Sequence, residues 1–350
     1  MIGSQSTQET RTNKTYSAYI CRVSENLSTS IRDALQFINF RKSVTTNSAI
    51  FIKPNFTFPY PSKGVTTTPA LLKALLEELK GTCGRIIVGE SDGGSNSFKA
   101  EKAFQEHGMY EICKAAGAEL VNLSRLPSKI VESEIQGKRV KVELPKLLLN
   151  DVDCFISVPT LKVHVVTTAS LGMKNMWGCY PDTMRGLHHQ NLHYKLALIA
   201  KLLDPKITII DGLYGLNYHG PMYGTPVKLD MLIASDNVVV ADALGTSIMK
   251  LPIKKVKHIA IAQKEGLGTT DLTSVRFNTD WRSFCTQFEI KKTILDRASM
   301  LLIESDLAAK IVMDSPLTSL IYSIAARLRS KDEKITAGYL NPNKRCVKKN

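Results

Sequence analysis

Cys154-Phe155-Ile156-Ser157-Val158 and the residues directly after it, Pro159-Thr160-Leu161-Lys162-Val163-His164, form the stretch that decides the fold. The first five residues are almost all apolar and end at a proline, which is typical of a short buried strand. In open α/β sheets, ligands bind beyond the carboxyl ends of the strands. We therefore expect Lys162 and His164 at the functional edge of a sheet.

Apolar strand-like runs alternate with amphipathic segments on both sides of this stretch. Strands are predicted over residues 49–53, 85–89, 119–121, 154–158, 207–210 and 231–234. Helices are predicted over residues 99–107, 110–116, 196–203 and 238–249. A further helix is expected to begin at Thr68-Pro69, because leucines follow at helical spacing: Leu71, Leu72, Leu75, Leu76 and Leu79. The alternation predicts an α/β fold with a mixed, mostly parallel sheet flanked by helices.

The predicted organisation has three parts. A polar tail covers residues 1–15. An α/β region covers residues 16–290, either as one unit or as two lobes of about residues 16–152 and 153–290. Residues 291–350 form a helical extension with a basic tail. Its amphipathic segments, residues 300–312 and 317–328, fit packing on the core, dimerisation or contact with a membrane surface.

The net charge of +14 is concentrated at the carboxyl end, where residues 327–350 hold eight basic and two acidic side chains. Such a tail is either simply solvated or binds nucleic acid or an anionic membrane weakly. The polar start and the lack of an apolar run of ~20 residues predict a cytoplasmic protein.

The seven cysteines are scattered, and no C-x-x-C pair occurs. An odd number of cysteines without a secretion signal indicates reduced thiols. The spacing also lacks the pattern that ligates an iron–sulfur cluster, so no iron–sulfur motif is predicted in this chain. The cofactor stays open, with a divalent metal among the alternatives.

Gly89-Glu90-Ser91-Asp92-Gly93-Gly94 follows a predicted strand but matches neither the dinucleotide fingerprint nor the P-loop. Its carboxylates, Glu90 and Asp92, suit a hard cation or a general base. The alternative is an ordinary strand-to-helix turn closed by glycines.

Four of the seven histidines lie between residues 164 and 193: His164, His188, His189 and His193. On a helix, His189 and His193 would share a face, as paired metal-binding histidines do. The alternatives are a pair that contacts substrate and ordinary surface or core histidines.

Eight short motifs occur in series: Ile52-Lys53-Pro54-Asn55, Val65-Thr66-Thr67-Thr68-Pro69, residues 88–94, Pro159–His164, Lys174-Asn175-Met176-Trp177-Gly178, Ile210-Asp211-Gly212, Gly220-Pro221-Met222-Tyr223-Gly224 and residues 234–243. Together they resemble the motifs of the family called domain of unknown function 362. The resemblance covers roughly residues 16–288. Many members of that family carry a ferredoxin-like module, whose cluster-binding cysteines this chain lacks. The resemblance therefore implies a redox or cluster-carrying partner protein.

Three lysines of these motifs, Lys53, Lys162 and Lys174, are expected to converge on an anion, because cations in one cleft are costly unless paired. His164 is expected to transfer a proton near neutral pH, with Asp211 orienting it or binding a cation. Lys162, Lys174, His164 and Asp211 are thus the predicted catalytic residues. Ligand contacts are expected from Lys53, Asn55, Thr67, Glu90, Asp92, Asn175, His188 and Gly220, and metal contacts from His189 and His193.

The leading hypothesis is an enzyme that acts on a small anionic metabolite, a carboxylate or phosphate, by acid–base chemistry, either with or without the help of a metal ion. The rival hypothesis is a non-catalytic protein that binds or delivers a metal, an iron–sulfur cluster or a cofactor. An adaptor that uses the basic tail to bind membrane or nucleic acid is a third alternative.

Overall fold

A computed structural model describes residues 15–23 and 26–292. The strands are β1 (Ser17–Arg22), β2 (Ala49–Pro54), β3 (Arg85–Glu90), β4 (Glu119–Asn122), β5 (Ser128–Ile135), β6 (Lys138–Pro145), β7 (Cys154–Val158), β8 (Thr160–His164), β9 (Thr168–Ser170), β10 (Ile207–Asn217), β11 (Thr225–Ser235) and β12 (Arg276–Phe277). The α-helices are α1 (Leu27–Phe37), α2 (Pro69–Leu79), α3 (Ala100–Glu106), α4 (Met109–Ala116), α5 (Lys146–Asn150), α6 (Gly172–Asn175), α7 (Leu192–Leu203), α8 (Val238–Ile248) and α9 (Lys257–Lys264).

Ten of these strands form one mixed, mostly parallel sheet, and eight of the ten follow one another in the order β12-β1-β11-β10-β7-β2-β3-β4. The run from β10 to β4 is parallel throughout, and β8 pairs with β10 in parallel and with β9 in antiparallel. The strand β11 is antiparallel to both of its neighbours, β10 and β1. The remaining strands, β5 and β6, form a separate antiparallel hairpin. The predicted α/β fold class is confirmed.

Helices cover both faces of the sheet because its central strands are apolar on both sides. In β2, Ile50 and Ile52 pack with the leucines of α2, whereas Phe51 belongs to the cluster on the opposite face, with residues of α7 and α8. All five leucines of the predicted stripe in α2 are buried. The helix begins after Thr68 with Pro69 in its first turn, as the sequence predicts.

The helix α4 ends at a glycine in the left-handed conformation, Gly117 with φ 71°. Gly adopts this conformation without steric cost, and it closes the helix before β4. The predicted helix over residues 110–116 and the strand after it therefore appear with ends shifted by only one residue.

Several elements were not predicted from the sequence: β1, α1, the β5–β6 hairpin, β8 and α9. The sheet is continuous across Asp153, since β2 pairs with β7, and the division into two lobes stays a prediction. The polar start, the predicted helices over residues 300–312 and 317–328 and the basic tail lie outside the described residues. No helix among residues 15–23 and 26–292 is both long and apolar enough to span a membrane.

Candidate functional site

A buried ion pair joins the carboxyl ends of β2 and β3. The Nζ atom of Lys53 lies 2.6 Å from Oε1 of Glu90, and both side chains are almost fully buried. Lys53 also donates to the carbonyl of Pro54, and Oε2 of Glu90 accepts from the backbone N–H of Phe56. The two motifs that supply these residues are therefore held together at the edge of the sheet.

The central K-N-x-x-G motif packs directly on this ion pair. The side-chain amide of Asn175 donates to the carbonyl of Lys53, at 2.9 Å, and to Oγ of Ser157, at 3.2 Å. A Cβ atom on Gly178 would lie only 3.1 Å from Oε1 of Glu90 and from Nζ of Lys53. Both N–H bonds of the Asn175 amide are thus used within the protein, and a Cβ atom at position 178 would require Lys53 or Glu90 to shift by a few tenths of an ångström.

Further motif residues connect the loops to one another. The hydroxyl of Thr67 donates to the carbonyl of Val158, at 2.7 Å, and accepts from the backbone N–H of Asn55, at 2.8 Å. The carboxylate of Asp211 accepts from the N–H groups of Thr68 and Leu213. Among the described residues no hydrogen bond links Asp211 to His164, so this carboxylate holds the start of α2.

Lys162 lies beneath the loop that follows β2. Its side chain is buried, and its Nζ atom donates to the carbonyl of Val65, at 2.9 Å, and to the hydroxyl of Thr57, at 3.1 Å. Burial, with the nearby charge of Lys174, lowers the pKa of Lys162 to about 7. Lys53 lowers this pKa further, while Glu90 raises it. The three predicted lysines therefore lie close enough to influence one another.

Lys174 is the cation of this group that lacks a partner. It lies at the end of α6 and is partly exposed, and no hydrogen bond or ion pair joins its ammonium group to the part of the chain that the structure describes. Loss of hydration, with the charge of Arg185, lowers the pKa of Lys174 to about 8. Within the described residues, this ammonium group therefore keeps its charge without a hydrogen-bonding or ionic partner.

Arg185 was not among the predicted site residues. Its guanidinium donates to the carbonyls of Asp92, at 2.6 Å, and Tyr180, at 3.0 Å, and burial lowers its pKa. Backbone carbonyls carry only partial charge, so the positive charge of Arg185 is not neutralised by them. One weak signal for it is present in the sequence, since it lies three residues before the His188-His189 pair.

Four buried or partly buried histidines lie close enough to Lys174 for its charge to affect their pKa: His164, His189, His193 and His258. Burial lowers the pKa of all four, to about 3 for His189 and about 4 for His193, and the charge of Lys174 contributes to the lowering in each case. These imidazoles are therefore neutral at physiological pH. In His164, Nδ1 accepts from the N–H of Val166, at 3.0 Å, which places the proton of the neutral ring on Nε2.

His258 was also not predicted, and it lies 65 positions after His193. The two rings stack at 5.7 Å with an interplanar angle of 13°. The Nδ1 atoms of His189, His193 and His258 are buried without a hydrogen-bond partner among the described residues. Such atoms are costly unless another molecule pairs them.

The predicted metal pair is not on one helix. Asn191, with φ 54°, separates His189 from α7, which begins at Leu192 and contains His193. Residues 15–23 and 26–292 contain no group of three or more histidine, cysteine or carboxylate side chains arranged to hold a metal ion.

The remaining predicted contacts are engaged within the protein. Asp92 accepts from Lys99, Ala100 and Asn122, and His188 pairs with Asp182 at 2.7 Å. The side-chain amide of Asn55 donates to Thr160, and Gly220 lies so close to Val163 that a Cβ atom would clash with its carbonyl. Their roles as ligand contacts stay predictions.

The fold and the site together define a mixed α/β protein whose sheet edge gathers lysines and neutral histidines around Lys174, which has no partner within residues 15–23 and 26–292. The sequence profile of the family described as a domain of unknown function (DUF362) matches residues 50–247, and this chain belongs to that family. The resemblance inferred from the motifs is thereby confirmed.

Two further proteins are similar to this chain. A thylakoid-associated protein of Synechocystis sp. is 25% identical over 235 residues, which make up 65% of this chain and 71% of that protein. A crystal structure of a Thermotoga maritima protein aligns with 69% of this chain at 8% identity and a TM-score of 0.36. The aligned part spans 59% of that Thermotoga chain.

Proposed function

We propose that this protein binds a small anionic metabolite, a carboxylate or a phosphate, beside Lys174 and acts on it by acid–base chemistry. The observation that carries the proposal is the ammonium group of Lys174, which has no partner in the described part of the chain. Nearby cations raise the free energy of that charge, and an anionic ligand would compensate it.

The balance of charge supports an anion. Lys53, Lys162, Lys174 and Arg185 contribute cationic groups. The carboxylates near them already have partners: Glu90 pairs with Lys53, Asp92 with Lys99 and Asp182 with His188. Arg185 and Lys162 are hydrogen-bonded to neutral oxygen atoms. The neutral histidines add N–H donors without adding charge, so they suit the uncharged oxygen atoms of the same ligand.

The lysines also suit proton transfer. A general acid or base works best when its pKa lies near the operating pH. Burial lowers the pKa of Lys162 to about 7 and the pKa of Lys174 to about 8, so these amines can gain or lose a proton near neutral pH. In this proposal Lys174 binds the anion, Lys162 exchanges the proton and His164 donates a hydrogen bond. Asp211 has a structural role.

A second candidate function is the binding or delivery of a metal or cofactor. The unpartnered Nδ1 atoms of His189 and His193 favour it, because a metal ion would satisfy buried imidazole nitrogens. Metal analysis of the purified protein tests this candidate, and unchanged metal content in His193→Gln would contradict it. The cytoplasmic location and a redox or cluster-carrying partner stay predictions.

Calorimetric titration with phosphate, sulfate and oxalate in an anion-poor buffer tests the main proposal. We expect at least one anion to bind, and Lys174→Gln to weaken its binding about tenfold or more, since hydrogen bonds to charged groups contribute ~1.5–3 kcal/mol. Lys228→Gln is the matched control, because Lys228 is exposed and pairs with Asp230. Failure of all three anions to bind, or equal binding by Lys174→Gln, would contradict the proposal.

A further inference from the structure

A buried carboxylate holds the short helix that carries Lys174. Oδ1 of Asp242 accepts from the backbone N–H of Gly172, at 2.7 Å, and Oδ2 accepts from the N–H of Met173, at 3.0 Å. These two residues begin α6, which ends with Lys174 and Asn175. A helix of only 4 residues is not stable by itself, so the direction of its side chains depends on such contacts.

The carboxylate of Asp242 is used for this contact alone. Asp242 lies in α8 without exposed surface, and its carboxylate has no other partner among the described residues. Burial raises its pKa to about 7, the two N–H groups of α6 lower it, and no charged side chain contributes. A buried carboxylate is costly unless it is hydrogen-bonded, so the start of α6 and Asp242 stabilise each other.

The two helices approach closely at this contact. A Cβ atom on Gly172 would lie 2.9 Å from Oδ1 of Asp242 and 2.8 Å from Cγ2 of Val238. Distances below 3.0 Å require a neighbouring atom to shift, and here the neighbours belong to buried side chains. The glycine at the start of α6 therefore allows the carboxylate to reach both N–H groups.

The other end of α6 is anchored as well. The amide of Asn175 donates to the carbonyl of Lys53 and to Oγ of Ser157, and the same Ser157 hydroxyl donates to the carbonyl of Gly172, at 3.2 Å. Lys174 makes no such contact within the described residues. The place of its ammonium group is therefore set by the backbone of α6, and through it by the side chains that hold that backbone.

We infer that Asp242 is a positioning residue, which holds the start of α6 and thereby fixes the ammonium group of Lys174 in place. The inference rests on the proposed function, since that function gives Lys174 its role as the anion-binding group. It adds a residue 68 positions further along the chain, in the motif of residues 234–243, which the proposed function leaves without a role.

The first test measures the pKa of Lys174 by competitive acetylation of the full chain over a range of pH, followed by mass spectrometry. In Asp242→Asn the side-chain amide keeps one acceptor oxygen and turns an N–H donor toward a backbone N–H, so the start of α6 is released. Lys174 then gains hydration, and its pKa should rise from about 8 to roughly 9 or higher. Loss of a negative charge alone would lower that pKa, so the direction of the change separates positioning from simple electrostatics.

The second test measures sulfate affinity by calorimetry. Asp242→Asn should weaken sulfate binding roughly fivefold to tenfold, because the ammonium group is still present but no longer held in place. The double variant Asp242→Asn, Lys174→Gln should bind sulfate no more weakly than Lys174→Gln alone. Two residues that act through one group give such non-additive effects, whereas two independent effects would add.

The matched control is Asp236→Asn. Asp236 belongs to the same motif, and its carboxylate accepts from the backbone N–H of Ser17, at 3.0 Å, away from α6. This variant should leave the pKa of Lys174 and the sulfate affinity unchanged. Thermal unfolding verifies that each variant is folded. If Asp242→Asn does not fold, Gly172→Ala serves in its place, since the added Cβ atom separates α6 from the carboxylate, and the same changes are expected.

Two outcomes would overturn the inference. The first is a pKa of Lys174 that stays at about 8 or falls when the contact with Asp242 is removed. The second is sulfate affinity equal to that of the unchanged protein. If the unchanged protein binds no anion, the proposed function fails, and the acetylation profile alone decides: a raised pKa of Lys174 in Asp242→Asn would still support the positioning.

Discussion

The ammonium group of Lys53 lies 2.6 Å from the carboxylate of Glu90, in an ion pair that joins the ends of two adjacent parallel strands. The pair is buried beneath Gly178, so neither charge can be hydrated if its partner is removed. Pairing at this position therefore holds together the loops that carry the candidate site.

Loss of that ion pair should destabilise the fold strongly. We expect Glu90→Gln to lower the free energy of unfolding by about 3–5 kcal/mol, because it leaves the buried charge of Lys53 uncompensated. Urea unfolding followed by circular dichroism measures the change. Glu77→Gln is the control, since Glu77 lies 3.8 Å from Lys73 in an exposed pair and should change stability little. Equal stability of the two variants would contradict the role given to Glu90.

A methyl group at position 178 should disturb the same ion pair. Gly178→Ala places a Cβ atom 3.1 Å from Lys53 and Glu90, whose side chains are fixed by each other and cannot easily move. Overpacking of this kind costs roughly 1–3 kcal/mol. Gly94→Ala is the matched control, because its added Cβ atom would find its nearest neighbour at 3.9 Å. Unfolding midpoints of the two variants should differ clearly, and coinciding midpoints would show that the ion pair tolerates the methyl group.

The pKa of Lys162 should be visible in the pH dependence of stability. It falls from 10.5 to about 7 on folding, so between these values the unfolded chain binds a proton that the folded chain lacks. The titration of Lys162 therefore increases the free energy of unfolding as pH rises from 7 to 9, and this gain is on the order of 1 kcal/mol per pH unit. Lys162→Met should remove that gain, whereas Lys141→Met, at an exposed position in β6, should not. Parallel pH curves for Lys162→Met and the unchanged protein would refute the assignment.

Anion binding should weaken as Lys174 loses its proton. With a pKa of about 8, its charge is present at pH 7 and mostly absent at pH 9. We expect the affinity for sulfate, which does not itself titrate in this range, to fall about tenfold per pH unit above 8. In Lys174→Arg the side chain at position 174 stays charged at these pH values, so the affinity for sulfate should no longer fall as pH rises. A pH-independent affinity in the unchanged protein would place the anion elsewhere.

The sequence predicts those elements whose signals are local. The leucine stripe of α2 and the glycine that closes α4 each need only a few neighbouring residues to be recognised, and both are confirmed. The strand β8 was missed although its signal is present: Leu161 and Val163 alternate with Lys162 and His164. Pro159, which directly precedes β8, is typical of the end of a strand and therefore indicates a loop at this position. In the structure both faces of β8 are buried.

The site is less predictable because its contacts cross long distances in sequence. The motif lysines were identified by their residue type and position, but the sequence does not show that Lys53 pairs with Glu90 while Lys174 stays unpaired. The stacking of His258 on His193 depends on the packing of α9 against α7, which no local pattern encodes. The spacing of His189 and His193 predicted one helical face, and the left-handed conformation of Asn191 breaks the helix between them.

The position of β1 has a consequence for how the chain is made. This first strand lies between β11 and β12, and Arg22 is opposite Met231. During synthesis, β1 therefore has no partner strand until β11 (Thr225–Ser235) has left the ribosome. It is an apolar strand with an open edge throughout that interval, which is the kind of segment that chaperones bind and that joins neighbouring chains. A fragment limited to the family-matching residues 50–247 would lack β1, so the edge of β11 that β1 covers would stay open.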